Sequence, residues 1–321
     1  MRKLTIGFLA LTALGSMSTA RAADFADDYL RGPDYEPVST QVIDWSGFYI
    51  GGHGGYSSAG LGFKNVLQDP LATYFRNRDI EQEFAVSSLL TLPSKRVGGT
   101  SFGGFAGYNF QFDDAVVGVE VDYTSFDRNG ASINEISRRL LTTGGMAESL
   151  YVKGTSATQL EDFGTVRGRV GYAFGNFLPF VSGGFAVGRA TVFDEAVVQN
   201  YGYDRKTYEA NQALTTGSPA AVYNHGYKQQ PDGSTAFNQN YPENGTTPAG
   251  QGVQTTPAPA TVVYSAKKSK AVAGVALGGG VEYAITSNFL IRGEYQYVLF
   301  NDFNGHKVNV NTVRAGAAYK F

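Results

Sequence analysis

The clearest signal along the chain is a two-residue alternation of apolar and polar positions. From Phe289 one face carries Phe289, Ile291, Gly293, Tyr295 and Tyr297, and the other carries Arg292, Glu294 and Gln296. The last segment sets Val313, Ala315, Ala317, Tyr319 and Phe321 against Arg314, Gly316, Ala318 and Lys320. Near the middle, Val117, Val119, Val121 and Tyr123 oppose Glu120 and Asp122, and Val166, Gly168, Val170, Tyr172 and Phe174 oppose Arg167 and Arg169. A two-residue period is that of a β-strand with unlike faces. Strands of soluble proteins average about 5–6 residues, and these runs are about twice as long. Their apolar faces end in aromatics, as at the two interfaces of a membrane-embedded barrel.

Eight such segments follow in order, at about residues 45–56, 97–112, 115–126, 160–174, 177–192, 270–285, 289–300 and 308–321. The connections alternate in length. Asp113-Asp114, Gly175-Asn176 and Thr286-Ser287-Asn288 make tight turns from residues that tolerate turn geometry. Residues 57–95, 127–159 and 193–269 read as long loops, with a shorter one at 301–307. Short turns on one side and long loops on the other are the layout of an outer-membrane barrel. The expected fold is therefore all-β: a transmembrane antiparallel up-and-down barrel of eight strands with long extracellular loops. A ten-stranded barrel is the alternative, and a hairpin near Thr261-Val262-Val263-Tyr264 that adds no strand to the barrel is a third arrangement. Both termini then lie on the periplasmic side.

Lipid offers no hydrogen-bond partners, so the eighth strand must close on the first. The interior of an eight-stranded barrel is largely filled by side chains. Gly274, Gly278 and Gly280 leave room there for longer neighbours. On this reading Glu120, Asp122, Arg167, Arg169, Glu282, Arg292, Glu294 and Arg314 form a lumenal ion-pair network, since unpaired charge in such a place is costly.

The N-terminus sets the compartment. Arg2 and Lys3 precede an apolar run over residues 4–14, and Ala20-Arg21-Ala22 offers a small-residue cleavage site after Ala22. That is a secretory signal, too short to span a bilayer as a helix. Residues 1–22 are read as the signal peptide, 23–44 as an acidic periplasmic tail, and 45–321 as the barrel. The chain has no cysteine, which excludes disulfides, thiolate metal sites and lipid attachment through cysteine. Gly at 41 of 321 residues and 13% aromatics suit curved β-structure in a membrane. A formal charge of −2 gives no general affinity for nucleic acid.

The three histidines are His53 in the first strand, His225 in the third loop, and His306, near Asp302, before the last strand. The Gly-rich stretches at 51–55 and 278–280 lack the lysine and helix of a phosphate loop. No metal-ligand spacing occurs, and neither an enzyme nor a cofactor is expected. The third loop carries Tyr201, Tyr203, Tyr208, Tyr223, Tyr227 and Tyr241 among small polar residues, a composition found on adaptable recognition surfaces. It is the candidate contact for a host or plant surface partner. Lys267, Lys268 and Lys270 at its end are placed to meet outer-membrane lipid and the phosphates of lipopolysaccharide.

The opening Trp45-Ser46-Gly47-Phe48-Tyr49-Ile50-Gly51 resembles the small outer-membrane surface-antigen barrels of alphaproteobacteria, within the opacity-protein-like porin group. Gly164-Thr165-Val166-Arg167-Gly168-Arg169-Val170-Gly171-Tyr172, Leu178-Pro179-Phe180-Val181-Ser182-Gly183-Gly184 and residues 311–321 carry the same resemblance. It implies an eight-stranded barrel that supports envelope integrity and is exposed as a surface antigen. Some members of that family are described as porins, and some bind haemin, so a passive pore for small solutes and a haemin-binding loop are the alternatives it brings. By resemblance to outer-membrane barrels generally, Tyr319 and Phe321 look like the signal read by the barrel-assembly machinery.

Overall fold

The computed structural model describes residues 43–217, 220, 223–225 and 261–321; the signal segment and most of the tail lie outside these. Eight long strands form one antiparallel ring: β1 (Gly47–Phe63), β2 (Leu92–Phe112), β3 (Ala115–Leu141), β4 (Met146–Tyr172), β5 (Phe177–Asp204), β6 (Thr261–Ala284), β7 (Phe289–Phe300) and β8 (Lys307–Lys320). Each pairs with its neighbour in sequence. β8 closes on β1 over the register from Tyr49↔Lys320 to Gly62↔Lys307. The barrel thus has no open edge where it meets lipid, as a bilayer without hydrogen-bonding partners demands.

An apolar band faces outward around the ring. Phe110, Tyr172, Tyr283, Phe289, Tyr319 and Phe321 are exposed at its periplasmic end, and Tyr56, Phe102, Tyr123 and Tyr295 at its outer end. Just beyond Tyr123 the ladder is irregular in two strands at once. The β3–β4 register shifts between Ser125 and Arg128, where Asp127 has φ +36°, and the β4–β5 register shifts between Leu160 and Asp162. Beside these bulges the Tyr123 hydroxyl donates to Asp162 (2.9 Å), which also accepts from Arg189 Nε (2.9 Å). Polar groups and bulges together mark the outer interface.

The strands do not stop at that interface, which corrects the loop boundaries read from the pattern. β3 and β4 each run for 27 residues and β5 for 28, where about 9–11 cross a membrane. Residues 127–159 are a continuous hairpin apart from the turn at 142–145, and residues 193–204 and 261–269 belong to β5 and β6 rather than to a loop. The upper parts of β3 to β6 form a four-stranded sheet outside the membrane. β5 ends in helix α3 (Arg205–Gln212), whose first turn is capped by Asp204 accepting from Thr207 N (2.9 Å). Asn224 and His225 add a two-residue bridge to β5.

The first long connection is folded too. β1 continues to Phe63, and α1 (Gln68–Tyr74), α2 (Asp79–Phe84) and a short 3-10 turn precede β2. Their Leu71, Phe75, Ile80 and Val86 are buried in a core with Leu150, Val152, Leu160, Val192, Val198 and Val310 of the strands. A smaller apolar cluster lies at the other end, built from Trp45, Tyr49, Phe105, Leu178 and Leu290. The lumenal charges sit between these two layers.

Candidate functional site

Alternation along each strand puts every second side chain into the lumen, and in the membrane-spanning part the outward positions are taken by apolar residues. The inward set is therefore where polar residues can go. β3 supplies Glu120 and Asp122, β4 Arg167 and Arg169, β6 Glu282, β7 Arg292 and Glu294, and β8 Arg314. All eight are buried. Four guanidinium groups meet four carboxylates.

The pairs cross the lumen as well as joining neighbours. Arg167 bonds Glu120 (2.6 Å) on the adjacent strand and Glu294 on the far side. Arg169 grips Glu282 with two bonds, Nη1 to Oε1 (3.0 Å) and Nη2 to Oε2 (2.8 Å). Arg292 donates from Nε to Glu282 Oε1 (2.7 Å) and from Nη2 to Glu120 Oε2 (2.7 Å). Arg314 joins Asp122 (2.8 Å) to Glu294 (2.9 Å). Such charge-assisted, bidentate contacts are the strong members of the hydrogen-bond class, and each buried charge needs them to offset lost hydration.

Two β1 residues, Tyr49 and His53, complete the layer beside the eight charged positions expected there. The Tyr49 hydroxyl donates to Glu120 Oε2 (2.9 Å) and accepts from Arg169 Nη1 (3.0 Å). His53 Nε2 lies 3.0 Å from both Asp122 Oδ2 and Arg314 Nη1. The signal was present: Phe48 and Ile50 face outward, so Tyr49 and His53 must share the opposite face. Phe105 on β2 and Phe180 on β5 lie against Arg292 (4.1 Å) and Arg169 (4.3 Å), a favourable cation–π geometry. All eight strands thus contribute to one lumenal plug. Hydroxyls continue it outward, with Ser57 bonded to Ser101 and Thr312 (both 2.7 Å).

A second polar cluster is enclosed in the outer core. His306 is fully buried, with Nδ1 at Thr158 Oγ1 (2.8 Å) and Nε2 at Asp194 Oδ2 (3.1 Å). Ser156 donates to the other oxygen of Asp194 (2.6 Å). The carboxylate beside His306 is therefore Asp194, not Asp302, which instead accepts from Gly305 N in the turn (2.9 Å). Hydroxyl, imidazole and carboxylate stand in the order of a nucleophilic site, but Phe63 and Phe303 pack on the imidazole. The cluster ties the turn before β8 to β4 and β5.

A family model described as an outer membrane protein β-barrel domain matches residues 7–321. The chain belongs to that family. The 31 kDa outer-membrane immunogenic protein of Brucella melitensis is 29% identical over 325 residues, covering 98% of both chains, and the protein of the same description from Brucella suis matches equally. These relatives agree with the resemblance to alphaproteobacterial surface-antigen barrels, and the protein is an outer-membrane one. Among solved structures, the attachment invasion locus protein Ail of Yersinia pestis aligns with 86% of this chain and 99% of its own, at 12% identity and TM-score 0.28. The outer membrane protein OprG of Pseudomonas aeruginosa aligns with 86% and 96%, at 14% identity and TM-score 0.33.

The tyrosines of the third connection do not share one exposed loop. Tyr201 and Tyr203 lie on β5, and Tyr203 is buried with its ring 5.7 Å from that of Tyr208 on α3. Tyr223 is exposed beside the two-residue bridge, and Tyr227 and Tyr241 lie outside the described residues. At the periplasmic end, Tyr319 and Phe321 stand together on the lipid face, rings 5.1 Å apart, and Phe321 N donates to Phe48 O (2.9 Å) across the closing seam.

Proposed function

We propose that this protein is a closed, non-conducting barrel that strengthens the outer membrane and presents its extended sheet at the cell surface as an antigen. One observation carries the reading: the buried ion-pair layer, with four guanidinium groups joined to four carboxylates across the lumen, lies between an apolar cluster below and an apolar core above. Ions would have to displace paired charges and then cross two dry layers. That argues against the passive pore. Purified protein in planar bilayers should give no steps above background. Regular channel openings that survive repurification would overturn the closed-lumen reading. In cells, loss of the protein should raise sensitivity to detergents, and antibodies to the sheet should label intact cells.

The chain's contacts with the envelope follow from the same placement. Tyr319 and Phe321 serve as the barrel-assembly signal, and Lys267, exposed just beyond the outer interface, contacts lipopolysaccharide phosphates, while Lys268 and Lys270 on the opposite face turn toward the connection before β8. Replacing Phe321 by Ala should reduce the amount of assembled barrel while leaving export unchanged.

A second reading, haemin binding at the outer tip, rests on one arrangement. A cavity of about 400 Å³ there is lined by Arg78, Met146, Tyr223 and His225, among others. His225 Nε2 contacts Glu148 (2.8 Å), the kind of support that orients a metal-ligating imidazole. Arg78 bonds Asn200 (2.8 Å) at the same cavity and is placed to meet a propionate. If His225→Ala and Tyr223→Ala together leave haemin titration unchanged, this reading fails.

A further inference from the structure

Outside the membrane, β6 has a neighbour on one side only. From Thr261 it pairs with β5, whereas its pairing with β7 begins at Gly274↔Phe300. The last bond on the β7 side is from Asn301 N to Ala273 O (2.8 Å), after which the chain turns away toward β8. Among the described residues, the edge from Thr261 to Val272 faces no partner strand. A free edge of this kind is a template for another strand.

The two halves of the edge differ. Lys267, Lys268 and Lys270 crowd the half near the membrane, and lysines there are a usual guard against pairing. Thr261-Val262-Val263-Tyr264-Ser265, farther out, carries β-branched and aromatic residues and no charge, the composition that fits a sheet. Val263 is 58% exposed. Beside this half runs a groove of about 400 Å³, with Tyr264, Ala266 and Lys268 on the β6 side. Asp69 of α1 and Asp302 and Asn304 of the turn before β8 form the facing wall, with Asp194 behind. Three carboxylates there meet the Lys268 ammonium, with the Lys270 ammonium at the margin on Asn304 Oδ1 (3.5 Å). Asp194 and Asp302 are engaged within the fold, while the Asp69 carboxylate is left to the groove.

We propose that an extended segment of a partner protein adds as a strand to β6 from Thr261 to Ala266 and sets a basic side chain into this groove. An exposed strand edge offers alternating backbone donors and acceptors, and a second strand satisfies both. Side chains of the added strand alternate in facing, so every second one enters the groove, where the carboxylates select lysine or arginine. The site is independent of whether the lumen conducts.

The test uses the full-length protein in detergent micelles and short fluorescent peptides of alternating threonine and lysine. Binding should raise anisotropy. Methylating alternate backbone nitrogens of the peptide should weaken it about tenfold, equivalent to about 1.4 kcal/mol. A threonine–glutamate peptide should not bind, and Asp69→Asn should weaken binding several-fold with the thermal transition unchanged. Failure of the threonine–lysine peptide to bind, or equal binding of its methylated form, overturns the proposal. Binding that emerges only after deletion of residues 226–260 would assign the edge to the chain's own segment. A dimer in sedimentation that dissolves with Val263→Lys would assign it to a second copy. Either outcome replaces the partner.

Discussion

A methyl group added at Gly278 on β6 would lie 2.8 Å from Arg167 Nη1 on β4, across the lumen. The same methyl would stand 2.8 Å from Ser182 Oγ and 3.0 Å from Glu294 Oε1, the groups that hold this guanidinium. Arg167 is fully buried and bonded on two sides, so it has nowhere to withdraw. Gly278→Ala should therefore cost about 1–3 kcal/mol, the usual range for overpacking a filled interior. Urea unfolding in phospholipid vesicles would read it. An unchanged midpoint would mean that the lumen yields more than its bonding implies.

Arg292 bridges two carboxylates, Glu282 and Glu120, while lying over Phe105. Removing one member of a buried pair leaves an uncompensated charge and costs about 3–5 kcal/mol. Arg292→Met should fall in that range. Adding Glu282→Gln removes one of the two carboxylates left behind and should recover part of the loss. If the double variant is as unstable as the sum of the singles, the two residues act separately and the network description is wrong. Conductance should stay at background in both variants, because every side chain of the apolar layers above and below is retained and methionine keeps an apolar contact with Phe105.

What the sequence displayed and what it concealed divide at the outer interface. Within the membrane, lipid outside and charge inside make the alternation strict, so the facing of Glu120, Asp122, Arg167 and Arg169 is legible from their neighbours alone. Which guanidinium meets which carboxylate is not, because that depends on register across the lumen. Beyond the interface both sides change. Water replaces lipid outside, and Leu150, Val152 and Leu160 replace charges inside. The polarity of the faces inverts, and the bulge at Leu160–Asp162 shifts the phase by one residue. A strand that reverses its pattern part-way reads as a strand that ends there. Helices α1 and α2, of 7 and 6 residues, are too short to show a helical period. For the same reasons Asp194, the partner of His306, stood hidden in what read as a loop.

His306 should prove structural, with a local signature. Truncation to Ala leaves Thr158 Oγ1 without its partner and Asp194 with Ser156 alone, inside an apolar core. A buried polar group left unsatisfied costs about 1–3 kcal/mol. The expected result for His306→Ala is faster amide exchange at residues 301–306 and in the facing parts of β4 and β5, with the periplasmic half unaffected. Uniform protection across those segments would show that Phe303 and Phe63 alone fix the turn.

The outer tip should respond to acid through Asp204. Its carboxylate accepts from the hydroxyl of Thr207 (2.6 Å) and from Thr207 N (2.9 Å) at the start of α3, and these bonds hold its pKa below the ordinary carboxylate value. A group depressed on folding stabilises fully above its unfolded pKa, about 3.9 for aspartate, and that stability is lost as pH falls through the folded value. Exchange protection of residues 205–212, corrected for intrinsic rates, should be flat from neutral pH to about pH 5 and fall below about pH 4. Asp204→Ala should remove the step and weaken the helix at neutral pH by about 1 kcal/mol, the typical worth of an N-cap. A step of the same size in the Asp204→Ala protein would transfer the acid response to another carboxylate and leave the cap without a role in it.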